Sequence, residues 1–173
     1  MNAGFASLLV LGGARSGKSR HAQAAIEACG DKLAYIATGQ AFDAEMSERI
    51  ARHRDERDHR WHTIEAPLDL AAAIRAAGAS AQGVMVDCLT LWLTNLILAD
   101  RDPAHFRAEL LDAIAGCPVP IALVSNEVGM GVVPENALSR RFRDEAGRLN
   151  QIVAASAERV VFLAAGLPLV MKG

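Results

Sequence analysis

Gly12-Gly13-Ala14-Arg15-Ser16-Gly17-Lys18-Ser19 decides the reading of this chain, because it fits G-x-x-x-x-G-K-S/T at every fixed position. The apolar run Leu8-Leu9-Val10-Leu11 precedes it and a helix-compatible segment follows, which is the strand, loop and helix order that a phosphate-binding loop requires. Each residue type suits the chemistry. Glycines let backbone N–H groups curl round phosphate oxygens, Lys18 reaches the terminal phosphates, and the Ser19 hydroxyl can hold Mg2+. A helix opening near Gly17 adds its positive dipole end. The expected ligand is a nucleoside triphosphate.

Outward from the loop, residues 18–29 carry Ala22, Ala24, Ala25, Ile26 and Ala28 with few breakers before Gly30-Asp31, which predicts the first helix. Leu33-Ala34-Tyr35-Ile36-Ala37 then reads as a buried strand. Strand, helix and strand in this order make a βαβ unit, and short apolar runs recur at residues 83–86, 119–124 and 159–163, each separated by a helix-length segment. The pattern predicts an α/β fold with a mostly parallel central sheet flanked by helices. After Gly166-Leu167-Pro168, the run Leu169-Val170-Met171 is close enough to return as a terminal hairpin strand. With 173 residues and 51% hydrophobic composition, one domain over residues 1–173 is expected, without repeats or linkers.

Composition narrows the function. A net charge of -2 and a pI near 6.2 argue against a general nucleic-acid binder. Cys29, Cys88 and Cys117 are odd in number and lack any C-x-x-C spacing, so reduced structural thiols are expected rather than disulfides or zinc. The first residues carry no basic region before an apolar run, and no apolar stretch approaches the ~18 residues of a membrane span. The expected location is cytoplasmic.

Gly83-Val84-Met85-Val86-Asp87 ends an apolar strand with a carboxylate. That is where phosphate-loop enzymes carry an Asp that helps position Mg2+, although Asp also serves as a strand-ending turn residue or helix N-cap. Residues 88–98 are apolar nearly all round, which predicts a buried or interface helix with Trp92 in the core. A charge-rich helical pattern spans residues 42–60. At about 100° per residue, Phe42, Met46 and Ile50 form one stripe, and His53 falls on it about 20° from Phe42. Two readings of His53 stand: a packed histidine near a helix end, or a neutral nucleophilic imidazole. Arg49, Arg52, Arg54, Arg57 and Arg60 favour the second, since guanidinium groups suit phosphate oxygens and disfavour imidazolium. His21, His59, His62 and His105 are expected to be structural or exposed. Asn126-Glu127-Val128-Gly129-Met130-Gly131 closes a strand, and Val132-Val133-Pro134-Glu135-Asn136 leads into another helix. Loops at the carboxyl ends of parallel strands bind ligands in open α/β sheets, so residues 126–136 are assigned to the second-substrate side, with a glycine-rich turn and interface as the alternative. Arg140, Arg141, Arg143 and Arg148 alternate with Asp144 and Glu145 as on a solvated or subunit-facing surface.

Taken together, Gly12 to Arg20 as G-G-A-R-S-G-K-S-R, Tyr35-Ile36-Ala37-Thr38, Arg49-Ile50 with His53-Arg54, Trp61 with Thr63 and Glu65, and Ser125 to Asn136 as S-N-E-V-G-M-G-V-V-P-E-N resemble the bifunctional adenosylcobinamide kinase/adenosylcobinamide-phosphate guanylyltransferase family of cobalamin biosynthesis. The likeness covers nearly the whole chain. It implies phosphorylation of the aminopropanol hydroxyl of adenosylcobinamide with ATP or GTP, then attachment of GMP from GTP to adenosylcobinamide phosphate with release of pyrophosphate. It also implies a RecA-like phosphate-loop NTPase fold and a homotrimer. The family's histidine that carries GMP covalently maps to His53; a second, neighbouring histidine of some relatives is Arg52 here. Nucleotide contacts carried over in the same way fall on Gly12, Gly13, Ala14, Arg15, Ser16, Gly17, Lys18 and Ser19, on Ala37, Thr38 and Gly39, on Arg54, Asp55, Glu56 and Arg57, and on Glu65 and Asp87, with Ser19 and Asp87 on the Mg2+ side. The competing readings are a monofunctional phosphate-loop kinase of a small metabolite and a RecA-like ATPase acting on nucleic acid. Release of pyrophosphate from GTP separates the first, and salt-sensitive nucleic-acid binding the second.

Overall fold

The structure is a computed structural model that describes residues 4–40 and 57–173. Four apolar runs form strands buried almost along their whole length: β1 (Ser7–Gly12), β2 (Leu33–Ala37), β4 (Gly83–Asp87) and β5 (Ile121–Asn126). Such runs are expected where both faces of a parallel sheet are covered. With β3 (Trp61–Glu65), β6 (Arg159–Ala164) and β7 (Leu167–Lys172) they make one sheet of order β3-β2-β4-β5-β1-β6-β7. All neighbours are parallel except β6 and β7, which form the terminal hairpin expected from the sequence.

Alternation along the strands divides the core in two. Leu8, Val10, Tyr35, Met85 and Val124 face helix α1 (Lys18–Glu27), meeting Ala22 and Ile26. Leu9, Leu11, Ile36, Val86 and Leu123 face the other way, into a larger core with helices α2 (Leu70–Gly78), α3 (Leu89–Leu98), α4 (Pro103–Ala115) and α5 (Ala137–Ser156). Helix α3 is buried over most of its surface, as a sequence apolar nearly all round predicts, and Trp92 is 1% exposed with its indole N–H donating to Leu68 O at 2.7 Å. Asn95, in the same helix, spends its buried side-chain amide on two carbonyls, Thr38 O at 2.7 Å and Pro67 O at 3.0 Å. Among the described residues two helix starts are capped by side chains: Asp102 accepts from Ala104 N–H ahead of Pro103, and Asn136 accepts from Ser139 N–H. Among the described residues no helix is long and apolar enough to cross a membrane.

Three expectations need correction. The helical pattern over residues 42–60 lies outside the described residues as far as position 56, but residues 57–60 are turn rather than helix. Asp58 Oδ1 accepts from Arg60 N–H at 2.9 Å, two residues on, and this local bond competes with helix. Trp61–Glu65 is a strand that no apolar run announces; at the sheet edge it is only half-buried, so its composition is polar. The strand expected over residues 119–124 runs instead from Ile121 to Asn126, because Pro118 and Pro120 have no N–H to give a ladder.

Asn95→Ala leaves one buried and one half-buried carbonyl without this donor and should lower unfolding stability by about 2–4 kcal/mol, read from urea denaturation. A loss within 0.5 kcal/mol of zero, on the order of a neutral surface change, would show that water replaces the amide.

Candidate functional site

The carboxyl ends of β1 to β5 share one edge of the sheet, and the loop after β1 is built there under tight steric control. A Cβ on Gly12, whose φ is 152°, would lie 2.4 Å from Leu163 O and 2.7 Å from Ser16 Oγ. Arg15 and Gly17 have φ of 52° and 94°, and these two left-handed residues turn the chain back before α1 begins at Lys18. Lys18 Nζ donates to Gly13 O at 2.6 Å, folding the lysine over the loop. Burial lowers its ammonium below the ordinary lysine value, while Cys88 and Asp87 act in the opposite direction. Ser16 Oγ is buried and has no hydrogen-bond partner among the described residues. The β6–β7 turn braces the loop from outside: Gly166 N–H donates to Ser16 O at 3.1 Å, with Ala165 and Gly166 both at positive φ.

Asp87 ends β4, separated from β1 by β5, and is in register with Ala37 at the end of β2, which is in turn in register with Glu65. Its Oδ2 accepts from the Tyr35 hydroxyl at 2.9 Å. Over the Tyr35 ring, 3.6 Å from its centroid, lies the guanidinium carbon of Arg57, whose Nη2 donates to Thr63 Oγ1 at 3.2 Å. Burial first, and then the Asp87 charge, push the Tyr35 phenol well above its ordinary value, so it is a hydrogen-bond donor at neutral pH. The same two causes raise the Cys88 thiol to about 11, so it is an inert buried thiol. Thr38 is fully buried, and its hydroxyl is committed to the backbone: it donates to Cys88 O at 2.7 Å and accepts from Cys88 N–H at 2.9 Å. Ala37 and Gly39 are half-buried beside it, and Glu65 is exposed at the end of β3. His53, Arg54, Asp55 and Glu56 lie outside the described residues.

The loop after β5 joins this edge through its backbone, since Glu127 N–H donates to Gly12 O at 3.0 Å. Glu127 Oε1 accepts from Gly129 N–H at 2.6 Å, and Asn126 N–H is held by Thr90 Oγ1 at 2.8 Å. Arg143 donates to Gly129 O and Arg140 to Pro134 O, both at 3.0 Å. These two arginines therefore clamp the loop, whereas Arg148 pairs with Glu145 on the surface, as its charge pattern predicts. Within the clamped loop the apolar side chains point outward: Met130, Val132 and Val133 are 80%, 95% and 60% exposed. Where α5 begins, a cleft of about 200 Å3 lined by Thr94, Ile97, Leu98, Leu138, Ser139 and Phe142 runs between it and α3. His59, His62 and His105 are exposed. Among the described residues no three His, Cys, Asp or Glu side chains cluster as a metal cage.

With this geometry, comparison with known proteins becomes decisive. Residues 8–171 match the family model described as cobinamide kinase / cobinamide phosphate guanyltransferase. The chain belongs to this family. It is 52% identical to the bifunctional adenosylcobalamin biosynthesis protein CobP of Pseudomonas aeruginosa, over 95% of this chain and 96% of that one. The bifunctional adenosylcobalamin biosynthesis proteins CobU of Salmonella typhimurium and Escherichia coli are each 43% identical, over 95% of this chain and 99% of theirs. Among solved structures, the P4 protein of bacteriophage phi6 in complex with ADP aligns with a TM-score of 0.53 at 20% identity. That alignment covers 96% of this chain, which spans 55% of the P4 chain. The likeness is one of fold, and it agrees with the phosphate-loop NTPase architecture expected from residues 12–19.

In the sequence Tyr35 reads as part of a buried strand and of the Tyr35-Ile36-Ala37-Thr38 motif, and nothing there links it to Asp87. Its one available signal was a phenol in a run otherwise wholly apolar, since a buried hydroxyl needs a partner. The unpartnered Ser16 hydroxyl yields a test of what the loop is shaped for. Ser16→Ala should leave unfolding stability within about 0.5 kcal/mol of the parent, because no protein hydrogen bond is lost, yet weaken triphosphate binding by titration. A clear loss of stability would mean that the hydroxyl has a partner in the protein.

Proposed function

We propose that this chain transfers the γ-phosphoryl group of ATP or GTP to the aminopropanol hydroxyl of adenosylcobinamide, and then joins GMP from GTP to the resulting phosphate. The observation that carries the reading is a complete phosphate-binding loop, with Lys18 folded over it and Asp87 ending β4 at the same edge of the sheet, in a chain of the cobinamide kinase / cobinamide phosphate guanyltransferase family. Backbone N–H groups of residues 12–19 and the Lys18 ammonium hold the phosphates, with no change of residues between the two reactions. The Ser19 hydroxyl and the Asp87 carboxylate would hold Mg2+. One hydroxyl and one carboxylate fit that ion, which keeps several waters and takes further oxygens from substrate phosphates rather than from an all-protein cage. When bound it neutralises charge that develops on the phosphates.

The second reaction runs through His53. The neutral imidazole attacks the α-phosphorus of GTP, the bond to the β-phosphate oxygen breaks, and pyrophosphate leaves; an oxygen of adenosylcobinamide phosphate then displaces the histidine. Arg54, Asp55, Glu56, Arg57 and Glu65 belong to the nucleotide side of this step. Support for His53 is its match to the family position and its arginine-rich neighbourhood in the sequence. The loop over residues 126–136 is the corrinoid side, because it is tied to Gly12 yet turns Met130, Val132 and Val133 outward as an apolar surface. A homotrimer in the cytoplasm completes the reading.

Lys18→Ala should abolish both activities, and Lys18→Arg should not restore them, since a planar fork does not replace a point charge in a tight loop. Kinase turnover near the parent level in Lys18→Ala would contradict a shared triphosphate site. Incubation with α-labelled GTP and Mg2+, without corrinoid, should label the protein at His53 through an acid-labile phosphoramidate. His53→Ala should lose the label and guanylyl transfer while keeping kinase activity, because γ-phosphoryl transfer needs no protein nucleophile. Label that persists in His53→Ala would move the intermediate to another residue. A fully active parent enzyme that never accepts label would favour direct transfer, and one that releases no pyrophosphate from GTP would be a kinase alone.

A further inference from the structure

An aspartate at a strand end has a broad terminal torsion that leaves its carboxylate free to turn, and a carboxylate that serves a bound cation and phosphates works only while one oxygen keeps a fixed direction. In this chain the fixing group stands on the neighbouring strand. Tyr35 lies on β2, two residues before the Ala37–Asp87 register pair, and its hydroxyl donates to Asp87 Oδ2 at 2.9 Å. That bond takes one lone pair of Oδ2 and fixes the plane of the carboxylate, leaving Oδ1 for other partners.

The ring that carries the hydroxyl is held on several sides. Tyr35 is 6% exposed, packed in the core beneath α1. Trp61 meets it edge-on, with centroids 6.3 Å apart and planes at 82°, and the Trp61 indole N–H donates to Glu27 Oε1 at 3.3 Å. Arg57 covers one face of the ring and is itself tethered to Thr63 on β3. A tyrosine used only for packing would be replaced by phenylalanine without consequence at the site. One whose rigid ring delivers a hydroxyl to the acidic group opposite the phosphate-binding loop would not.

We propose that Tyr35 is a positioning residue, fixing the Asp87 carboxylate through the Oη–Oδ2 hydrogen bond so that Oδ1 faces the phosphate side of the site. This rests on the reading of Asp87 as a Mg2+-side carboxylate. Arg57 and Trp61 act through Tyr35, holding its ring, and so connect β3 to the acidic group on β4.

The test uses the full chain and a fluorescent GTP analogue whose affinity is titrated with and without Mg2+, alongside the melting temperature. Tyr35→Phe keeps the ring, its edge contact and its cation, and removes only the hydroxyl. It should bind the analogue as the parent does without Mg2+, lose about tenfold of the Mg2+-dependent gain in affinity, and need correspondingly more Mg2+ for turnover. In an Asp87→Asn background the same change should do nothing further, since the carboxylate it acts through is gone. Tyr35→Leu, which also removes the ring, should lower the melting temperature further without a larger change in Mg2+ dependence than Tyr35→Phe. Mg2+ dependence unchanged in Tyr35→Phe but shifted in Asp87→Asn would overturn the proposal while leaving the role of Asp87 intact. Equal effects of Tyr35→Phe in both backgrounds would also overturn it. Unchanged Mg2+ dependence in Asp87→Asn itself would overturn the metal-side reading of Asp87, and the proposal with it.

Discussion

The carbonyl oxygen of Leu163 lies 2.4 Å from where any side chain on Gly12 would begin, and this lack of space governs the site. Strand β6 presses on β1 at the point where β1 must end, so the chain leaves the sheet through a glycine and turns at once into the phosphate-binding loop. The hairpin that follows β6 then returns to the loop, where Gly166 bonds to Ser16 O. On the other side, Glu127 N–H bonds to the Gly12 carbonyl. The loop is therefore held by the connections that follow both neighbouring strands, as well as by its own Lys18–Gly13 bond. Preorganisation of this kind lets backbone N–H groups meet a phosphate without paying ordering entropy at the moment of binding.

Around that frame the polar side chains divide by whether the protein already satisfies them. Thr38, Thr90, Asn95 and Asn150 are buried, and each is spent on backbone or side-chain partners that fix where strands β2, β4 and β5 stop. Ser16 Oγ has no partner among the described residues, and Lys18 is folded onto a carbonyl of its own loop. Groups of the first kind build the edge of the sheet. Groups of the second kind are available to a ligand, because an incoming phosphate can partner the Ser16 hydroxyl and the two ammonium donors that the Gly13 carbonyl leaves to Lys18.

Residues 126–136 show the same economy at a larger scale. Arg140 and Arg143, which alternate with acidic residues as a surface pair would, instead donate to the loop's carbonyls, and the loop so held turns its apolar residues outward. Burying those side chains would be favourable, yet Met130, Val132 and Val133 stay in solvent because the loop's carbonyls are tied to α5.

Much of this was legible in residues 12–19, because the loop's chemistry dictates residue types at fixed spacing, and in the uninterrupted apolar runs that only a sheet covered on both faces requires. The mostly parallel sheet, the buried helix over 88–98 and the terminal hairpin followed from such local patterns, whereas the family showed only in motifs spread over nearly the whole chain. Strand β3 did not, because an edge strand is only half-covered and its sequence need not be apolar. The turn over 57–60 escaped a helical periodicity because one side-chain bond from Asp58 outweighs a weak propensity. What only the tertiary structure decided is which distant residues share a partner: Tyr35 with Asp87, 52 positions apart, and Thr38 with Cys88, 50 apart. Sequence by itself specifies chemistry that is local in the chain, whereas strand order and register choose which side chains meet, and no single stretch contains that information.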